Sequence, residues 1–106
     1  MVKKIKSEAE LNSEFEAAGD KLVVIDCFAE WCGPCKRIAP FVEQLSKEMP
    51  NVVFLKMDVD EADALAGKLG VTAMPTFFFY KNGKKVGDMC GANNEKLKQL
   101  VQQHSA

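Results

Sequence analysis

The hexapeptide Trp31-Cys32-Gly33-Pro34-Cys35-Lys36 decides how this chain of 106 residues is interpreted. It follows the apolar run 22–28 directly and precedes a stretch whose apolar residues recur at helical spacing. Residues three apart on the first turn of a helix share a face, so the two sulfurs can form and open a small disulfide ring. Unpaired backbone N–H groups and the helix dipole also favour a thiolate at Cys32. The motif therefore predicts disulfide exchange at Cys32 and Cys35.

A buried strand is predicted before this motif and a long helix after it. The run 22–28 is apolar except for Asp26, which is typical of a strand buried on both faces. A helix is predicted over 32–49, and a further strand over 52–57. The helix carries an apolar stripe formed by Ile38, Phe41, Val42, Leu45 and Met49. A strand-helix-strand unit of this kind predicts two parallel strands.

The remaining elements complete an alternating α/β pattern. The sequence predicts an edge strand at 2–6, a helix at 8–18 after Ser7, a short helix capped by Asp60, strands at 76–80 and 84–89 joined by Asn82-Gly83, and a last helix starting near Asn93. We expect one domain over residues 1–106, folded as a three-layer α/β/α sandwich with a mixed five-stranded sheet and four helices. The motif would lie at the carboxyl end of a central strand, where open α/β sheets usually place their sites.

Composition narrows the range of partners. The net charge is −1 with acids and bases interleaved, which indicates neither nucleic-acid nor membrane binding. No apolar run approaches the roughly 20 residues that span a bilayer, and the first residues carry no apolar targeting segment. Because a secreted disulfide framework would come with such a segment, the four cysteines indicate a reducing compartment, and we expect the cytoplasm.

Taken together, these residues resemble the thioredoxin family, and its animal cytosolic members most of all. The resemblance rests on the hexapeptide 31–36, Asp26, the tripeptide Pro75-Thr76-Phe77 and the pair Gly91-Ala92, and it extends over the whole chain. It implies the thioredoxin fold and protein-disulfide reductase activity. Animal members often carry additional cysteines where this chain has Ala62, Leu69 and Ala73, so regulation through those thiols is not implied.

The order of attack and the source of electrons follow from the resemblance. Cys32 would attack a target disulfide, and Cys35 would resolve the resulting mixed disulfide and leave a Cys32–Cys35 disulfide. The chain has no glycine-rich dinucleotide loop, so we expect no bound cofactor. The resemblance implies recycling by an NADPH-dependent thioredoxin reductase, and peroxiredoxins, ribonucleotide reductase and methionine sulfoxide reductases as targets.

Asp26 is the predicted proton carrier. A carboxylate in a buried strand is costly, and burial favours its neutral form, so Asp26 could exchange a proton with Cys35. From the residues alone, an Asp26 satisfied by backbone amides is an equal alternative, and the resemblance favours the proton carrier. Lys56 should lie on the neighbouring strand, either beside Asp26 or in solvent.

A flat apolar rim around the cysteines is the predicted target-binding surface. By resemblance, Met74-Pro75 forms a cis-proline loop whose backbone can pair with an extended target peptide, although the local sequence indicates only a turn. The rim would consist of Trp31, Gly33, Pro34, Met74, Pro75, Gly91 and Ala92. An uncharged apolar rim suits partners chosen for their disulfide.

The other two cysteines have different predicted roles. Cys27 lies in the central strand and is expected to be a small buried apolar residue. Cys90 precedes Gly91 at the rim, so it is a candidate regulatory thiol that could link two chains of an otherwise monomeric protein.

Three alternatives remain at the level of the sequence. A zinc site would require further ligands at suitable spacing, and His104 is the only histidine. A disulfide oxidase or isomerase would usually have His where Pro34 stands. A redox-gated binding module would bind a partner only in the reduced state, without turnover.

Overall fold

The computed structural model describes residues 1–106 as five strands and four helices. In chain order they are β1 (Val2–Lys4), α1 (Glu8–Ala18), β2 (Val23–Phe28), α2 (Gly33–Glu48), β3 (Val53–Asp58), α3 (Asp63–Leu69), β4 (Thr76–Lys81), β5 (Lys84–Cys90) and α4 (Asn94–Ser105). The predicted order of elements is confirmed, with boundaries that differ by at most two residues. None of the four helices is long and apolar enough to cross a membrane.

The sheet places β2 at its centre, as predicted. The strand order is β1-β3-β2-β4-β5, with β3 parallel to both β1 and β2. Strand β4 runs antiparallel to β2 and to β5. Asn82 and Gly83, with φ of 54° and 74°, form the tight turn between β4 and β5 that their sequence predicts.

Two apolar cores lie on opposite faces of the sheet. Helices α2 and α4 cover one face, where Ile38, Val42 and Leu97 pack against alternate strand residues such as Val24 and Phe77. Helices α1 and α3 cover the other face, with a core that contains Leu11, Leu65, Val23, Ile25, Cys27 and Phe78. This arrangement is the predicted three-layer sandwich. Since side chains alternate along β2, Asp26 faces the same side as Val24, beneath α2.

Side-chain caps explain where two helices begin. The Ser7 Oγ accepts the Glu10 N–H at the start of α1, and the Asn93 Oδ1 accepts the Lys96 N–H at the start of α4. The predicted Asp60 cap of α3 is wrong. That helix begins at Asp63, and Ala62 precedes it without a side-chain cap. The Asp60 carboxylate instead accepts a hydrogen bond from Trp31, so tertiary contact outweighs the local capping preference.

Candidate active site

The cysteine pair lies at the first turn of α2, directly beyond the end of β2. Cys32 is the residue before the helix, with extended backbone angles, and Cys35 lies within the first turn. The two are joined by a disulfide with a Cα–Cα separation of 5.3 Å. The Cys35 backbone N–H donates a hydrogen bond to the Cys32 Sγ at 3.2 Å. Cys32 therefore takes the capping role that a serine or aspartate oxygen usually takes.

This capping geometry places the Cys32 sulfur in an electropositive environment. When the disulfide opens, the same N–H can donate to a Cys32 thiolate, and the helix dipole acts in the same direction. Both effects stabilise the thiolate relative to the thiol, which lowers the pKa of such a sulfur. Pro34 removes no hydrogen bond at this position, because an N–H in the first turn has no partner within the helix.

Both cysteines pack in a small apolar cluster. Cys32 is 5% exposed and Cys35 is 4% exposed, and together with Ala29 they form the cluster. Phe28, Val59 and Met74 pack against it. Gly33 and Pro34, between the two cysteines, are exposed. The exposed part of the motif next to the disulfide is therefore the Gly33-Pro34 turn.

Asp26 is a buried carboxyl group on the strand that leads to the cysteines. It is 6% exposed, and its Oδ1 has no hydrogen-bond partner. The alternative hypothesis, in which backbone amides donate hydrogen bonds to the Asp26 carboxylate, is not met at this oxygen. Burial raises the pKa of Asp26 from 3.8 to about 7, and the positive charge of Lys56, its partner on β3, opposes the increase. The carboxyl group can therefore hold or release a proton near neutral pH.

A cavity connects Asp26 with Cys35. It has a volume of about 190 Å³ and is also lined by Glu30, Lys36 and Lys56. Its walls are mainly apolar, but four of its eight lining residues are ionisable, so a space of this size can hold water molecules that bond to their polar groups. A proton can therefore pass between the Asp26 carboxyl group and the Cys35 sulfur through water. The sequence left open whether Lys56 lies beside Asp26 or in solvent, and the structure places it beside Asp26.

The structure links some of the predicted rim residues to the cysteine pair or to one another. The Met74-Pro75 bond is cis, and Met74 packs against the cysteine cluster. The Pro75 carbonyl accepts the Gly91 N–H at 2.9 Å, which joins the two loops of the rim. Gly91 has a φ of 97°, a conformation that glycine adopts without strain. Ala92, the last rim residue, packs against the core beneath α2 and α4.

Trp31 is the most exposed large side chain of the rim, and it is held in place. The side chain is on the surface, with 68% of the residue exposed. The indole Nε1–H donates to the Asp60 Oδ2 at 2.9 Å, and the Asp60 backbone N–H donates to the Asp58 Oδ1 at 2.9 Å. The loop after β3 therefore fixes the orientation of Trp31. This role of Asp60 was not predicted from the sequence. Its position just after β3, the strand beside β2, was the signal that Asp60 lies near the motif.

The other cysteines are separate from the pair. Cys27 is fully buried, and burial raises the pKa of its thiol far above the ordinary value. Cys90 is a free, exposed thiol at the end of β5, with its Sγ 3.4 Å from the Thr76 Oγ1. The structure contains no group of three His, Cys, Asp or Glu side chains that could hold a metal ion.

This arrangement defines a thiol–disulfide oxidoreductase: a cysteine pair at a helix start, a buried carboxyl group behind it and a cis-proline loop beside it. Comparison with known proteins gives the family. The family profile described as Thioredoxin matches residues 2–103. The chain is 50% identical to human thioredoxin over 101 residues, which cover 95% of this chain and 96% of the human protein. It is also 50% identical to Plasmodium falciparum thioredoxin 1 over 106 residues, the full length of both.

Solved structures agree with the sequence relatives. Fasciola hepatica thioredoxin has a TM-score of 0.96 and 46% identity, with 97% of this chain and 99% of that chain covered. A chain from a study of the thiol resolving mechanism in yeast mitochondrial 1-Cys peroxiredoxin via glutathione/thioredoxin systems has a TM-score of 0.88 and 35% identity, with 96% and 94% covered. The chain belongs to the thioredoxin family. It is a protein-disulfide reductase with its redox disulfide at the family's active-site position, and thioredoxins require no bound cofactor.

Proposed function

We propose that Cys32 is the nucleophile, Cys35 the resolving thiol and Asp26 the proton carrier of this reductase. The hydrogen bond from the Cys35 N–H to the Cys32 Sγ carries the proposal, because it identifies the sulfur that the helix start stabilises as a thiolate. Cys35 lies within the helix and lines the cavity that reaches Asp26, whereas Cys32 does not line it. The sulfur facing that cavity is the one that needs a base during the second step.

The two steps balance as a transfer of two electrons. The Cys32 thiolate attacks one sulfur of the target disulfide, the target S–S bond breaks, and the leaving thiolate takes up a proton. The Cys35 thiol then loses its proton, attacks the Cys32 sulfur of the mixed disulfide, and the second target sulfur leaves and is protonated. The target gains two electrons and two protons as a dithiol, and the protein becomes the Cys32–Cys35 disulfide.

Asp26 acts on the second step. As an anion it accepts the Cys35 proton through the cavity, and as a neutral acid it returns that proton when the disulfide is reduced again. A pKa of about 7 suits both directions near neutral pH. Lys56 is proposed as a positioning residue, whose charge keeps the pKa of Asp26 from rising further.

We propose that the target binds to the rim, which consists of Trp31, Gly33, Pro34, Met74, Pro75, Gly91 and Ala92. The hydrogen bond between the Gly91 N–H and the Pro75 carbonyl supports this role, because it joins the two loops into a continuous edge beside the disulfide. An extended peptide can add to such an edge through main-chain hydrogen bonds. Binding through the backbone accepts many target sequences.

Proteins of this family interact with thioredoxin reductase and with proteins that contain disulfides. For this chain we propose NADPH-dependent thioredoxin reductase as the electron donor. Peroxiredoxins, ribonucleotide reductase and methionine sulfoxide reductases are the proposed targets. The similarity to the yeast chain studied with a 1-Cys peroxiredoxin supports the first of these targets.

A monomer in the reducing cytoplasm is the proposed working form. The free thiols of Cys27 and Cys90 support a reducing compartment. Under oxidising conditions the exposed Cys90 is the proposed site of a link between two chains, as a regulatory thiol. A dimer that persists in the Cys90→Ser variant would contradict that assignment.

A coupled assay tests the proposed roles. Insulin reduction is followed as precipitation, with thioredoxin reductase and NADPH as the electron supply, and NADPH consumption is recorded in parallel. We expect multiple turnovers for the wild type and none above background for Cys32→Ser. A redox-gated binding module would show no turnover in the wild type, and an oxidase would prefer to form disulfides in a reduced substrate.

A further inference from the structure

Arg37 places a further positive charge beside the active-site turn, in addition to Lys36 of the motif and the Asp60 carboxylate that holds Trp31. Arg37 is exposed and lies one helical turn after Gly33 on α2. Its Nη1 is 3.8 Å from the position that a Cβ would occupy at Gly33. The guanidinium therefore folds back along the helix toward the turn between the two cysteines. A long cationic side chain on a helix surface often extends into solvent. Here it instead places its charge beside Gly33, the residue that follows Cys32.

No carboxylate within the protein neutralises this guanidinium. The five ion pairs of the structure involve Lys3, Lys4, Lys6, Lys68 and Lys85, all of which lie outside α2. Arg37 therefore keeps its donors free for another partner. A guanidinium presents them in a planar fork that matches a carboxylate, which makes arginine well suited to recognise acidic side chains.

A surface groove extends from Arg37 to the target-binding rim. It has a volume of about 550 Å³ and is lined by Arg37, Ile38, Ala92, Asn93, Asn94 and Glu95. Ala92 is itself one of the proposed rim residues, so the groove continues the surface on which a target segment would lie. In the order of the strands, Asp60 follows β3 on one side of β2, whereas Ala92 follows β5 on the other. The rim is therefore polarised, with an acidic group beside Trp31 and a basic group beside Ala92.

We propose that Arg37 and this groove select target segments that carry Asp or Glu next to the reacting cysteine. The proposal rests on the proposed function and specifies its preferred substrate class. An extended target segment that pairs with the rim places its flanking side chains over the groove, where a carboxylate meets Arg37 and a lysine is repelled. Glu95 also lines the groove and acts against an acidic target, so Arg37 sets the preference and Glu95 reduces it.

Three disulfide-linked peptides that differ only in Asp, Asn or Lys beside the cysteine test this selection. The readout is the ratio of their kcat/KM values, in which any change at the cysteine pair itself cancels. At low salt we expect the wild type to reduce the Asp peptide about threefold faster than the Asn peptide, as for an exposed ion pair, and the Lys peptide more slowly still. The preference should be largely lost at roughly 0.5 M salt, because surface charges are then screened.

Substitutions in α2 and α4 test whether the groove is the source of this preference. Arg37→Met should remove the preference for the Asp peptide and, because Glu95 remains, leave the Lys peptide slightly ahead. Arg37→Glu should reverse the order more strongly, and Glu95→Gln should widen the preference for Asp. Lys47→Glu is the matched control, because it makes the same change of charge at an exposed position near the far end of α2. It should leave the order unchanged.

Two outcomes would overturn the proposal while leaving the proposed function intact. One is a wild type that reduces all three peptides at equal rates. The other is an Arg37→Glu variant that keeps the wild-type order. If the Asn peptide is not reduced at all, the proposed function itself fails.

Discussion

The buried carboxyl group of Asp26 lowers the stability of the folded protein when it is ionised, and it is also the proposed proton carrier of the reaction. In the unfolded chain its carboxyl group titrates near 3.8, whereas in the folded protein burial raises its pKa to about 7. Between these values the folded protein binds more protons than the unfolded chain. The free energy of unfolding therefore falls as the pH rises through this window, by up to about 4 kcal/mol above pH 7.

Replacing Asp26 should remove this dependence. Asp26→Asn keeps the shape of the side chain and cannot ionise, so we expect it to be more stable than the wild type at pH 8 and to lose most of that advantage at pH 4. Denaturant unfolding across this range measures the difference. The exposed Asp20, replaced by Asn, is the control and should follow the wild type. A wild type and an Asp26→Asn variant that differ by a constant amount at all pH values would show that Asp26 titrates normally.

The same substitution should slow the resolving step. Without a carboxylate to accept its proton, the Cys35 thiol attacks the mixed disulfide less readily, and a positioned base typically contributes roughly 100-fold or more. Rapid mixing of the reduced variant with a disulfide target should show a normal first attack and a mixed disulfide that accumulates. If the mixed disulfide decays as fast as in the wild type, Asp26 has no part in the step.

Asp60 should determine how Trp31 meets a target. Because Trp31 is the only tryptophan, its fluorescence reports this contact alone. Asp60→Ala removes the acceptor, so the indole should become more mobile, with a lower fluorescence anisotropy. The KM for a protein target should rise roughly threefold to tenfold, as for the loss of one hydrogen bond. The reduction of a small aromatic disulfide should change little, since it does not need the rim.

Asp60→Asn provides the matched control for this hydrogen bond. Its amide oxygen can still accept from the indole N–H, but the charge is gone. It should restore the wild-type anisotropy and KM. If Asn and Ala have the same effect, the charge of Asp60, and not its hydrogen bond to Trp31, is what matters.

At the level of single elements, the start of α2 is the feature on which the chemistry depends. The Cys35 N–H and the helix dipole should lower the pKa of Cys32 below the roughly 8.5 that is ordinary for a thiol. Alkylation of the reduced protein against pH, read for each cysteine by mass spectrometry, measures this. Cys27 should remain unmodified because it is buried, and the exposed Cys90 provides a reference in the same molecule. A Cys32 that reacts with the same pH profile as Cys90 would contradict the proposed activation.

Most of these elements could be predicted from the sequence because their signals are local. The apolar run of β2, the helical stripe of α2 and the Asn82-Gly83 turn each specify their structure within a few residues. Asp60 was misjudged for the same reason: its local context indicates a cap, whereas its actual partner, Trp31, lies 29 residues away in the chain. The cis bond at Pro75 was expected only from resemblance, since an X-Pro sequence alone favours trans.

At the level of the whole molecule, the sheet order brings the site together. The cysteine pair follows β2, Asp60 follows β3, and Gly91 follows β5, so three distant segments meet around one disulfide. The cavity between Asp26 and Cys35 and the groove beside Arg37 depend on how α2 lies over the sheet. Neither is encoded in a short stretch of sequence. The sequence identifies candidate residues for the site, but it does not indicate the spaces that lie between them.

The order of attack can be measured directly with the Cys35→Ser variant. The reduced variant is mixed with a protein that carries one accessible disulfide, and the products are analysed by mass spectrometry without reduction. The account predicts a stable mixed disulfide between Cys32 and the target, which does not form with Cys32→Ser. The absence of any trapped species, or a species bonded through Cys27 or Cys90 instead of Cys32, would contradict it.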